Sequence, residues 1–101
     1  MTRIARSVAG IPIRLTDERW NHIIAGHKEL SGLEDEVMAC IQAPIEVRVG
    51  KDLELLAIRR LGLGKILVVV YREVSDHDGF ILTAYVTSRE RSLMRRVQLW
   101  P

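Results

Sequence analysis

Cysteine is almost missing: Cys40 is the only one, so no intrachain disulfide can form, and a zinc cage built on several thiolates is excluded. At helical spacing among apolar neighbours, its thiol reads as core packing. Aromatic residues make up only 5% of the chain and prolines number three. The longest unbroken apolar run, Ile66 to Tyr71, falls far short of the roughly 20 residues a membrane helix needs. Arg3 and Arg6 lead into no apolar signal-peptide core, so the expected setting is soluble and cytoplasmic, with no membrane partner. Repeats, linkers and low-complexity tracts are absent as well.

What remains is a chain of 101 residues, the size of one domain, so residues 1–101 are expected to form a single unit. Hydrophobic residues at 48% and charged residues at 28% are enough for a packed core without staples. The net charge of +2 conceals a division. Residues 1 to 16 carry +3; residues 17 to 55 hold four bases against nine acids, or −5; residues 56 to 101 hold eight bases against four acids, or +4. Near the C-terminus Arg89, Arg91, Arg95 and Arg96 face only Glu90. A basic surface of this kind concentrates polyanions, which makes RNA a candidate partner, against the plainer reading of a solvated tail.

Local signals order the elements. Residues 3 to 15, with Gly10 and Pro12, read as an irregular or edge strand. Thr16 is a natural N-cap ahead of Asp17 and Glu18, and Trp20, Ile23 and Ile24 form one stripe of a helix that Gly26 stops. Ser31 and Glu34 have capping-box spacing and open a second helix with Leu33, Val37, Cys40 and Ile41 on its apolar face, ended by Pro44. Strand patterns follow over 45–49, 53–60, 65–74 and 80–88, separated by short turns that favour an antiparallel meander. The expectation is an α+β fold: N-terminal helices packed on a four-stranded antiparallel sheet, with a short C-terminal tail or helix.

Alternation along the last strand places Phe80, Leu82, Ala84 and Val86 on one face and Ile81, Thr83, Tyr85 and Thr87 on the other. The second row suits an anionic ligand, with further donors from Arg59, Arg60, Tyr71 and Arg72, although register does not tell which of each adjacent pair joins it. A solvated outer face is the plainer alternative. His22 lies about 160° from the apolar stripe of its helix at about 100° per residue, so it projects off the core. His27 follows Gly26, with Glu29 placed to orient its ring, and His77 sits in a turn. His22 and His27 lack the i, i+4 spacing of a helical metal pair, and no metal or other cofactor is assigned.

The stretch LTDERWNHIIAGHKEL (Leu15 to Leu30), the helix ending in Ala43-Pro44, VVVY at Val68 to Tyr71 and ILTAYVT at Ile81 to Thr87 together resemble small nuclease-like domains of phages and bacterial toxin systems, in the superfamily that groups barnase, EndoU, the colicin ribonucleases and RelE. The resemblance spans about residues 15 to 88. It implies helices on an antiparallel sheet and RNA cleavage without a metal, in which the ribose 2′-hydroxyl attacks its own phosphate. Carried onto this chain, it assigns catalytic roles to His22, His27, Arg59, Arg60, Thr83 and Tyr85, with His22 as acid or base. Arg72, Arg89, Arg91, Arg95 and Arg96 would bind RNA. The full barnase-like set (glutamate with histidine) and the EndoU-like set (two histidines with lysine) cannot be placed on these positions.

A ribonuclease toxin is therefore the leading expectation, with an acidic antitoxin or immunity protein as its neutraliser. The alternative is a noncatalytic RNA-binding or protein-interaction domain using the same surface. A third reading takes the acidic middle segment as a subunit contact, making the chain a homodimer or larger homo-oligomer.

Overall fold

The computed structural model describes all 101 residues. Seven strands, β1 (Arg3–Arg6), β2 (Pro12–Leu15), β3 (Glu46–Val49), β4 (Leu55–Gly62), β5 (Lys65–Ser75), β6 (Asp78–Thr87) and β7 (Gln98–Trp100), are joined with three helices, α1 (Asp17–Gly26), α2 (Glu34–Gln42) and α3 (Glu90–Met94). The sheet runs β1-β2-β6-β5-β4-β3-β7, and every neighbouring pair is antiparallel except β2 with β6. The α+β class agrees with the sequence reading. The four-stranded antiparallel sheet does not: the sheet is mixed and has seven strands. No helix is long and apolar enough to cross a membrane.

Two of the three extra strands, β1 and β2, divide the stretch read as one irregular or edge strand, and β7, at three residues, is too short for alternation to register. Residues 3 to 15 form two strands, because the Gly10 N–H donates to the Ser7 carbonyl at 2.8 Å and closes a turn between them. Strand β2 then meets β6 in parallel through only two residue pairs, Ile13 with Gly79 and Arg14 with Phe80. A Cβ on Gly79 would stand 2.5 Å from the Arg72 carbonyl oxygen and from Ile13 Cδ1, so the close approach needs glycine there. Arg14 braces the same junction by donating to both carboxylate oxygens of Asp78 at 2.9 Å.

Helix α1 starts as its sequence demands, with Thr16 Oγ1 accepting the Arg19 N–H at 3.0 Å and Trp20 and Ile23 buried. Ser31 does not cap α2. A single 3₁₀ turn, Lys28–Leu30, intervenes, and α2 begins after Leu33 with no side-chain cap. Val37, Cys40 and Ile41 nevertheless turn inward as the periodicity required; Met38 joins them, and Leu33 stands just outside the helix at its N-cap position.

Two cores explain the run from Ile66 to Tyr71. Leu67, Val69 and Tyr71 join the main core under α1 and α2, while Ile66, Val68 and Val70 join a smaller cluster on the other face with Leu56, Ile58 and Leu93 of α3. A central strand covered on both faces reads as continuously apolar. Strand β6 departs from simple alternation. Val70 pairs with Thr83 but Tyr71 pairs with Ile81, leaving Leu82 as a bulge that reverses the phase of the strand. Ile81 is thereby in the main core with Ala84, and Leu82 packs with Tyr85 against the smaller cluster. The expected row of Ile81 with Thr83, Tyr85 and Thr87 is corrected to the last three alone.

Candidate functional site

The β3–β4 turn is short and closed on itself. The Gly50 N–H donates to the Glu54 carbonyl at 2.8 Å and the Leu53 N–H to the Gly50 carbonyl at 3.1 Å. The Glu54 carboxylate folds back to accept the Asp52 N–H at 3.2 Å and lies against Gly50, where a Cβ would stand 1.7 Å from Glu54 Oε1. This turn delivers Lys51 and Glu54 to the rim of a cleft of about 350 Å³. Thr83 and Tyr85 of β6 form its floor with Leu56 and Val70, and Ser92 and Arg96 close it from the C-terminal side.

Arg96 is where it is because of Arg48. Although it sits in the alternating stretch EVRV, the Arg48 side chain is buried, with 5% of the residue exposed. Its guanidinium donates to the Arg96 carbonyl at 2.7 Å, the Met94 carbonyl at 3.4 Å and Gln98 Oε1 at 3.3 Å, and is paired with Glu46 at 2.8 Å. One buried cation thus ties the chain after α3 to β3 and recruits β7 as the last strand.

Burial raises the Tyr85 phenol above its ordinary pKa of 10; the Glu54 charge pushes the same way and the Arg96 charge opposes it. The phenol therefore stays protonated at neutral pH and acts as a donor. Two cations, one carboxylate and three hydroxyls converge on the cleft, a set that can hold a phosphate and move a proton beside it.

The residues expected from sequence are divided by the fold. Thr83 and Tyr85 line the cleft, and so does Arg96. His27 does not line it: its ring centroid is 6.4 Å from that of Tyr85, tilted by 36°, with Nδ1 3.5 Å from Glu29. His22 is exposed and opens into a separate polar cleft with Thr16, Glu18 and Arg19. Arg59 and Arg60 both line a separate cleft of about 620 Å³ beside Asp35 and Glu36 of α2, and Arg60 also forms an ion pair with Glu90. Arg72 donates to the Asp52 carbonyl at 3.3 Å, on the far side of the β3–β4 turn. Arg89, Arg91 and Arg95 are exposed around α3. His22, Arg59 and the Thr83 row therefore do not share one cleft.

Lys51, Glu54 and Ser92 were not among the expected residues. Gly50 marks their turn in the sequence, but nothing local says which sheet face a turn will overhang. Comparison with known protein families, with curated proteins and with solved structures finds no match to this chain.

Proposed function

We propose that this protein is an endoribonuclease, working as the toxic component of a toxin and antitoxin or phage system, and that its reacting groups are those of the α3-side cleft. The observation that carries the reading is the convergence of Lys51, Glu54, Tyr85 and Arg96 on one cleft. Glu54 takes the proton of a ribose 2′-hydroxyl as that oxygen attacks the adjacent phosphorus. Lys51 and Arg96 hold the phosphate and stabilise the charge that builds on its oxygens. Tyr85, kept neutral by burial, protonates the departing 5′-oxygen, leaving a 2′,3′-cyclic phosphate and a 5′-hydroxyl. The nucleophile belongs to the substrate, so few protein groups are needed.

An acidic antitoxin or immunity protein is the partner that this cationic cleft would accept. In this reading His22 and Arg59 stand outside the reacting set. The test is digestion of RNA in the presence of a chelator, with mapping of product ends. Glu54→Gln should lower the cleavage rate by about 10² to 10⁴, the usual worth of a general base, while His22→Ala leaves it within about twofold. Wild-type activity in Glu54→Gln would overturn the assignment. One observation favours the binding-only alternative: neither His22 nor His27 lines the cleft. Salt-sensitive RNA binding with no products at any pH would select it.

A further inference from the structure

We propose that Leu53 is an apolar wedge that parts two neighbouring bases of a single-stranded RNA, seating one in the depression beside Arg72 while the adjoining phosphate lies in the cleft across the β3–β4 turn. The inference rests on the ribonuclease reading above for the class of ligand. It starts from a residue that breaks a local rule without compensation. Leu53 has φ of 67°, a left-handed conformation that glycine and asparagine adopt readily and leucine rarely. It is also 78% exposed, so no core contact offsets the strain. A strained, exposed apolar side chain at a turn tip is an outlier from which a role can be inferred.

Its surroundings say what the role is. On one side of Leu53 the same turn presents Lys51 and Glu54 to the candidate cleft. On the other side Leu53 itself lines a second depression, of about 440 Å³, with Leu55, Arg72, Glu73 and Val74. Val74 is exposed, and Arg72 is tied to the turn through the Asp52 carbonyl. The Glu73 carboxylate is already engaged by the Ser7 hydroxyl, which donates to it at 2.6 Å. An apolar wall with a guanidinium beside it suits the face of a nucleobase. The cleft across the ridge holds the two cations that suit a phosphate. A leucine standing between such subsites is placed as the apolar side chains that nucleic-acid-binding proteins insert between base steps. The ligand class that follows is single-stranded or readily unstacked RNA, with duplex discriminated against because its bases cannot part without losing their stacking.

Leu63 provides the internal control. It has φ of 53° and is fully exposed, yet it lies at the other end of the eight-residue β4, roughly 25 Å away by strand rise, and does not border the cleft. Asparagine at either position relieves the same strain, so both Leu53→Asn and Leu63→Asn should melt no lower than wild type. Only Leu53→Asn should weaken binding to a single-stranded 2′-O-methyl oligonucleotide, by about tenfold, and Leu53→Met should retain it. Wild type should also raise the emission of a 2-aminopurine in that oligonucleotide as the base unstacks, and Leu53→Asn should not. If Leu53→Asn binds and unstacks like wild type, the wedge is wrong while the ribonuclease reading stands, and the exposed leucine belongs to a protein contact. Equal loss in Leu63→Asn would also overturn it, because the effect would not be local. If the wild-type protein neither binds nor cleaves RNA, both readings fall together.

Discussion

Replacing Arg48 by methionine keeps an unbranched side chain of similar reach and removes one charge. Three acceptors in the C-terminal segment, the carbonyls of Met94 and Arg96 and the Gln98 Oε1, lose their donor, and the Glu46 carboxylate, whose side chain is 18% exposed, loses its cation. Breaking a buried ion pair from one side costs about 3 to 5 kcal/mol, chiefly for the charge left behind. The lower end applies here, since Glu46 retains some water and the segment from α3 onward can peel away locally. A loss of about 3 kcal/mol corresponds to a fall in Tm of about 12 to 24 °C, at about 4 to 8 °C per kcal/mol for a domain of this size. Thermal melting followed by circular dichroism measures it, and hydrogen exchange should rise first in residues 90 to 100 and leave β5 protected. The double variant Glu46→Gln with Arg48→Met should regain part of the loss, because no unpaired charge remains. A Tm for Arg48→Met within about 3 °C of wild type, with unchanged exchange at β7, would refute the account of how the tail is held. RNA binding should weaken in the same variant, since Arg96 depends on this contact.

Other outcomes follow from the same geometry. Gly79→Ala places a methyl group 2.5 Å from a backbone carbonyl and from Ile13 Cδ1, neither free to move far, and should cost about 3 kcal/mol in chemical denaturation. Gly50→Ala meets only the flexible end of Glu54, 1.7 Å away, so the melt should change little while the cleavage rate falls toward that of Glu54→Gln. Alkali should destabilise the fold. Burial pushes the Cys40 thiol from 9.0 up to about 12 and raises Tyr71 and Tyr85 above 10. The unfolded chain therefore gives up these protons at lower pH than the native state does, and stability is full below about pH 9 and declines from there to about pH 12. Cys40→Ala should make that decline shallower in a pH series of urea midpoints, and an unchanged slope would contradict the burial account.

The parts legible in the sequence are those whose signals are local. Thr16 with Asp17 and Glu18 marked the start of α1, and the inward spacing of Val37, Cys40 and Ile41 marked the buried face of α2 even though the expected Ser31 cap is not made. The Thr83, Tyr85 and Thr87 row came from the period of a strand and survives with one correction. Ile81 left the row because a bulge at Leu82 shifts the phase, and a bulge depends on how β5 and β6 pair, not on either strand alone. Helix periodicity placed His22 off the core, but its cleft turned out to be a different one from that of Tyr85.

Composition and spacing determined that this chain is of the α+β class with basic excess in its second half, because burial, capping and alternation act over a few residues. Tertiary structure decided the rest. The parallel joining of β2 to β6 hangs on two residue pairs separated by more than 60 positions, and the seventh strand on its pairing with β3 and on one buried guanidinium. Only the folded sheet brought Lys51 and Glu54 from one turn, Tyr85 from a strand and Arg96 from the tail to one cleft, since which groups meet is set by long-range register and by the charges the core can hold.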